Sequence, residues 1–126
     1  MTAPVLDHVT LRTFDLQGTR TFFEMLLDLK PGYRPDFPFP GYWLYAGGEP
    51  IVHLIPGQGG RVNRAGETID HAAFRLDDYD GMLRKVEDLD IPHSLMELPE
   101  LHERRIFVQT PSGVLLELVF RDSKPE

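Results

Sequence analysis

A chain of 126 residues, 41% hydrophobic and 26% charged, fits one compact domain with a real core and leaves no length for a separate cofactor-binding domain. A net charge of -7, a pI near 5.1 and no basic stripe, Arg104-Arg105 being too short to act as one, argue against nucleic acid as a partner. The sequence has no cysteine, which excludes disulfides, thiolate nucleophiles and thiolate metal ligands.

Any metal must then sit on imidazole and carboxylate, donors that suit Zn, Ni, Fe or Mn. No apolar run approaches the roughly 20 residues that span a bilayer. The opening Met1-Thr2-Ala3-Pro4-Val5-Leu6 lacks a charged segment followed by an apolar one, so a cytoplasmic protein with no membrane partner is expected.

The first strand, Leu6-Asp7-His8-Val9-Thr10-Leu11-Arg12, is followed by Asp15, placed to cap a helix carrying Leu16, Phe22, Phe23, Leu26 and Leu27. That helix should end near Lys30-Pro31-Gly32. Three strand candidates come next: a short one near Gly32 to Pro35, then Tyr42 to Ala46 and Ile51 to Ile55, the last two parted by Gly47-Gly48-Glu49-Pro50. The Pro-rich, aromatic stretch from Tyr33 to Trp43 reads as an ordered, substrate-facing connection.

After the Gly- and Arg-bearing stretch Pro56 to Glu67 the pattern starts again. Ile69-Asp70-His71-Ala72-Ala73-Phe74-Arg75-Leu76-Asp77-Asp78 repeats the segment from Leu6 to Asp15 at a shift of 63 residues, with Asp, His, Arg and the final Asp identical. Asp78 is placed to cap a helix carrying Met82, Leu83, Val86 and Leu89, which should stop near Asp90-Ile91-Pro92. Strands follow at Ser94 to Leu98, Arg105 to Gln109 and Val114 to Phe120, the last two parted by Thr110-Pro111-Ser112-Gly113. Each half is therefore β-α-β-β-β, and Ile51-Val52-His53-Leu54-Ile55 aligns with Leu115-Leu116-Glu117-Leu118-Val119.

Each half thus places one polar group at the start of its first strand and one in the middle of its last. Strand side chains alternate faces, so His8 shares a face with Thr10 and Arg12, and His71 with Ala73 and Arg75. Glu117 interrupts an apolar strand, where an ionised carboxylate costs several kcal/mol unless it is paired or metal-bound. A lone strand histidine is more often a core or surface residue than a ligand. Four such groups at pseudo-symmetric positions, His8, His53, His71 and Glu117, point instead to a metal.

With these residues the chain resembles the vicinal oxygen chelate superfamily, which includes glyoxalase I, fosfomycin-resistance proteins, methylmalonyl-CoA epimerase and extradiol dioxygenases. The resemblance covers essentially the whole chain: Leu6-Asp7-His8 opens one module, Ile69-Asp70-His71 opens the other, and Pro111-Ser112-Gly113-Val114-Leu115-Leu116-Glu117-Leu118 closes it. It implies an α+β fold of two paired βαβββ modules, about 4–57 and 67–121, forming a curved, cup-like mixed sheet with helices on its outer face. It also implies a homodimer and one divalent ion held by His8, His71 and Glu117. The fourth-strand position, often Glu or Gln in glyoxalase-like and epimerase-like members, is His53 here, either a fourth ligand or an acid/base group. Relatives that only bind small molecules, such as bleomycin-binding proteins, have lost these ligands, and this chain keeps them.

Two chemistries stay open. Two histidines and a carboxylate suit dioxygenase chemistry at Fe(II), which is favoured, while Ni, Zn or Mn would serve a glyoxalase-like or epimerase-like isomerase or lyase. A third alternative is an antibiotic-resistance or small-molecule-binding protein. Phe37, Phe39, Tyr42, Trp43, Tyr45 and Phe107 are candidates for the walls of a cavity for an aromatic or other planar substrate. Arg12 and Arg75 are candidates to neutralise Glu117 or an anionic substrate, Tyr45 to donate to a bound oxygen anion, and His102 to overhang the cavity mouth. His93 is expected to face solvent.

Overall fold

In the computed structural model, residues 3–57, 69–109 and 115–121 are described. The turn Thr110-Pro111-Ser112-Gly113, Val114, and all of the Pro56 to Glu67 connection beyond Gly57 lie outside them. The chain divides into two compact units, His8–Asp70 and Met1–Asp7 with His71–Glu126. Both boundaries fall between the aspartate and the histidine of a repeated Asp-His pair. Each unit is thus one βαβββ module together with the aspartate end of the other module's first strand.

In the first unit, β1 (Val5–Thr13), α1 (Leu16–Leu27), β2 (Lys30–Pro31), β3 (Tyr42–Ala46) and β4 (Glu49–Pro56) follow in order. The strands lie as β2-β3-β4-β1. β1 runs parallel to β4, with Val9 opposite Val52 and Thr10 opposite His53, and the other pairings are antiparallel. Alternation along these strands sorts the residues cleanly. Val9, Leu11, Leu44, Val52 and Leu54 pack with Leu16 and Phe23 of α1, which leaves His8, Trp43 and His53 for the face away from the helix.

Asp15 caps α1 by accepting from the Gly18 amide at 2.9 Å. The helix stops at Leu27, earlier than Lys30-Pro31-Gly32 suggests, because Asp28 turns left-handed at φ 57°. Phe22 and Leu26 do not join the core and stay exposed with Met25. At 100° per residue they lie off the stripe that Leu16 and Phe23 define. The short strand also falls earlier than its sequence signals, at Lys30–Pro31, where an edge position tolerates proline. β4 begins two residues before Ile51, because the turn consists of Gly47-Gly48 alone, with φ 56° and 85°.

The second unit repeats the plan with β5 (Ile69–Leu76), α2 (Tyr79–Asp88), β6 (His93–Leu98), β7 (Glu103–Gln109) and β8 (Leu115–Arg121), its strands ordered β5-β8-β7-β6. β5 is parallel to β8, and β6-β7 and β7-β8 are antiparallel. Asp78 caps α2 through the Gly81 amide at 3.0 Å, and Asp90 at φ 58° ends its connection as Asp28 does in the first unit. Leu76, Ile106 and Phe120 are the buried core, with Tyr79, Met82, Leu83, Val108 and Leu118 packed against them. Ala73, Arg105, Glu117 and Val119 take the opposite face. The α+β class and the two βαβββ modules hold, with eight strands and two α-helices among the described residues.

Candidate functional site

Glu117 is 2% exposed, in a strand whose neighbours Leu118 and Phe120 belong to the core. Its charge is balanced by Arg105, whose Nη1 donates to Oε1 at 2.6 Å. Oε2 lies 3.2 Å from His71 Nε2. Two donors bound to one ion at about 2.1 Å each stand roughly 3.0–3.4 Å apart. The couple therefore has the spacing of a metal chelate as well as that of an ion pair, and this half of the donor set fits a divalent ion.

Behind Glu117 the charges alternate. Arg105 also donates to Glu103 at 2.6 Å, Arg121 donates to Glu103 at 2.8 Å and to Asp7 at 3.1 Å, and Arg75 lies 3.5 Å from Asp7. Burial opposes the charge on Arg105, but Glu117 and Glu103 outweigh it and hold the guanidinium pKa above its ordinary value. Glu103, Arg105 and Arg121 were not among the sequence candidates. The available signal was the Glu103-x-Arg105 spacing, which puts both side chains on one face of the strand, but it acquires meaning only once register sets β7 beside β8.

In the other unit His8 is 2% exposed on β1. Its ring stacks on that of His53, centroids 3.7 Å apart and planes 17° from parallel. His53 stacks in turn on Trp43 at 4.0 Å and 10°. Phe37 and Phe39 extend the aromatic group, stacked at 5.4 Å, with the Arg34 guanidinium over both rings. Desolvation lowers the Arg34 pKa, with Asp36 opposing it.

A family model for the Glyoxalase/Bleomycin resistance protein/Dioxygenase superfamily matches residues 5–118. The chain belongs to this superfamily. No curated protein matches the sequence. Among solved structures, the chain is similar to a hypothetical protein, BH1468, from Bacillus halodurans C-125, at 17% identity, TM-score 0.74 and 99% coverage of each chain. It is similar to a Streptomyces coelicolor methylmalonyl-CoA epimerase variant in complex with 2-nitronate-propionyl-CoA, at 19% identity, TM-score 0.69 and 97% coverage of each chain. It also resembles the 2,3-dioxygenase LapB from Pseudomonas sp. KL28, at 17% identity and TM-score 0.75, with 94% of this chain matching 41% of that one. At these identities the likeness is one of fold.

On the superfamily fold the remaining sequence candidates separate. Arg12 donates to Asp70 and to the Pro56 carbonyl, and Arg75 pairs with Asp7, so both arginines are engaged in strand-to-strand ion pairs. The Tyr45 hydroxyl donates to the Tyr33 carbonyl and its ring covers Gly32, where an added Cβ would meet it at 2.8 Å. The Tyr42 hydroxyl donates to Gln17 at 2.7 Å and its ring packs against the core. Phe107 lies opposite Glu117 in the β7-β8 register and lines a cavity of about 190 Å³ with Pro92, Ser94 and Leu115. Phe39 is exposed. His102 is exposed in a left-handed turn at φ 55°, beside a cavity lined by Glu97, Pro99 and Arg104. His93 faces solvent, with Nδ1 2.8 Å from the Ile91 carbonyl oxygen. Among the described residues, no helix is long and apolar enough to cross a membrane.

Proposed function

We propose that this chain is a divalent-metal-dependent enzyme whose ion is held by His8, His71 and Glu117, and that it acts in a dioxygenase-like way on a small, planar, metal-chelating substrate. The observation that carries the proposal is the His71–Glu117 couple, a buried carboxylate with one oxygen 3.2 Å from an imidazole nitrogen on the sheet face opposite the helix. His8 is the equivalent of His71 in the sequence repeat, is buried on its own strand, and supplies the second imidazole. Two imidazoles and one carboxylate form the donor set that suits Fe(II) and leaves positions for a bidentate substrate.

When bound, such an ion supplies a Lewis-acid centre that polarises the oxygens of a chelating substrate. The protein's own part is to keep Glu117 ionised through Arg105, to leave its second oxygen toward His71, and to offer flat apolar surface from the aromatic group around Trp43. A glutamate at the position of His53 would favour proton transfer by a mobile carboxylate, as in a glyoxalase-like enzyme, and its replacement supports the dioxygenase-like reading. A cytoplasmic homodimer belongs to the same proposal, and the exposed Phe22, Met25 and Leu26 of α1 supply apolar surface for a second copy.

Metal analysis of protein purified without oxygen, followed by oxygen uptake in the presence of catechol-like chelators, tests the reading. Iron at one per chain with substrate-dependent oxygen uptake supports it. Nickel or zinc without oxygen uptake transfers the chain to the isomerase and lyase side, and protein that takes up no metal makes it a binding protein.

A further inference from the structure

A ligand imidazole must aim one nitrogen, and a ring on a strand turns about its own χ2 bond unless something holds its plane. In the unit formed by residues 8–70, three flat rings stand in a row on three neighbouring strands: His8 of β1, His53 of β4 and Trp43 of β3. Strands about 4.8 Å apart bring same-face side chains to a spacing that flat rings fill by stacking. The middle ring is 5% exposed and Trp43 4%, so neither can tilt without displacing its neighbours.

The geometry points to His53 as a positioning residue, wedged between Trp43 and His8, that fixes the plane of the His8 imidazole and so aims the nitrogen His8 offers to the ion. This rests on the reading of His8 as a ligand. The ring geometry separates this role from that of a fellow ligand. Two imidazoles on one ion direct their ring axes at it. With bonds of about 2.1 Å meeting at 90° or more, their centroids stand roughly 4.5 Å apart or further. The observed separation is 3.7 Å with planes 17° from parallel. In addition, His53 Nε2 lies 3.2 Å from the Pro50 carbonyl oxygen. A carbonyl only accepts, so this nitrogen donates to it, and the hydrogen bond helps to hold the His53 ring in the stack.

The test compares wild type with H53F, which keeps a flat ring without nitrogen, and H53L, which fills similar volume without one. Cobalt(II) is titrated into each metal-free protein and followed by its visible absorption. The imidazole proton resonances of His8 are recorded on the same metal-free samples. H53F is expected to bind cobalt within about threefold of wild type with the same spectrum, and H53L to bind about tenfold more weakly or worse with an altered one. The His8 ring protons should be shifted upfield in wild type and H53F, relative to the exposed His93 and His102, and should lose that shift in H53L.

Loss of cobalt in H53F as severe as in H53L makes His53 a ligand and overturns the proposal. Wild-type binding in H53L, or unmoved His8 resonances there, overturns it equally. Circular dichroism checks that each variant is folded, and H53M replaces H53L if the latter is not. Wild-type protein that binds no cobalt defeats the metal reading alone, since the resonances still decide whether the stack sets the His8 ring.

Discussion

Arg105 and His71 meet different oxygens of Glu117: Nη1 of Arg105 donates to Oε1 at 2.6 Å, and Oε2 lies 3.2 Å from His71 Nε2. The same guanidinium donates to Glu103 at 2.6 Å, so it lies between two buried carboxylates. Replacing it with methionine leaves both without that partner, and removing one member of a buried ion pair costs about 3–5 kcal/mol. R105M should therefore show a large fall in urea midpoint. R105K should recover only part of it, because an ammonium cannot reproduce the fork. A loss in R105M no larger than a surface substitution gives would mean that the network does not support the strand. The raised pKa of Arg105 contributes stability that is complete below the ordinary arginine value and disappears only as pH rises through the folded one. Arg105 itself thus adds no pH dependence between about pH 6 and 9.

The two helix caps give a prediction independent of any metal. Asp15 and Asp78 each accept from the amide three residues on, at 2.9 and 3.0 Å. Asp15→Ala and Asp78→Ala should each cost about 0.5–2 kcal/mol. The double variant should lose the sum, because the caps sit in different units and share no partner. Denaturation midpoints measure this, and a double variant no less stable than the singles would show that the caps do not act independently.

The repeat, the caps and the strand-by-strand order were legible in the sequence because they rest on local signals: Asp before an apolar helix, alternation along a strand, Gly-Gly between two strands. The face of His8 and of Glu117 was legible for the same reason, since alternation assigns it, whereas their burial is not fixed by alternation. What was not legible depended on register and rotation. Arg105 becomes a partner of Glu117 only when β7 lies beside β8, and His53 stacks on His8 only when β4 lies beside β1. The exposure of Phe22 and Leu26 followed from helix phase, which the list of apolar residues did not distinguish. Arg12 and Arg75 each meet an aspartate from the other repeat, Asp70 and Asp7, and that pairing too depends on register.

That exchange can be measured. Arg12 pairs with Asp70 and Arg75 with Asp7, each arginine belonging to one repeat and each aspartate to the other. The Arg12–Asp70 pair is about one-fifth exposed, more protected than a surface ion pair. A double-mutant cycle of R12A and D70A should give a coupling of about 1 kcal/mol. Coupling within error of zero would reduce the pair to a solvated contact with no part in holding the strand starts.

The ligand set is tested by removing its members without disturbing the packing around them. Glu117→Gln keeps the shape of the side chain and its ability to accept from Arg105, but it removes the charge that a divalent ion requires. His71→Ala and His8→Ala remove one imidazole each from the two different units. All three should lower the bound metal, measured by elemental analysis after dialysis against equal free metal, from one per chain to a small fraction, because a site built from three donors does not survive loss of one. Asp78→Ala, at the N-cap of α2 and equally able to disturb stability, should keep its metal and serves as the control. If Glu117→Gln holds a full equivalent, the carboxylate is not a ligand and the His71–Glu117 couple is only an ion pair. If His8→Ala alone holds a full equivalent, the ion belongs to the His71 unit and the two-imidazole donor set fails, and with it the preference for Fe(II).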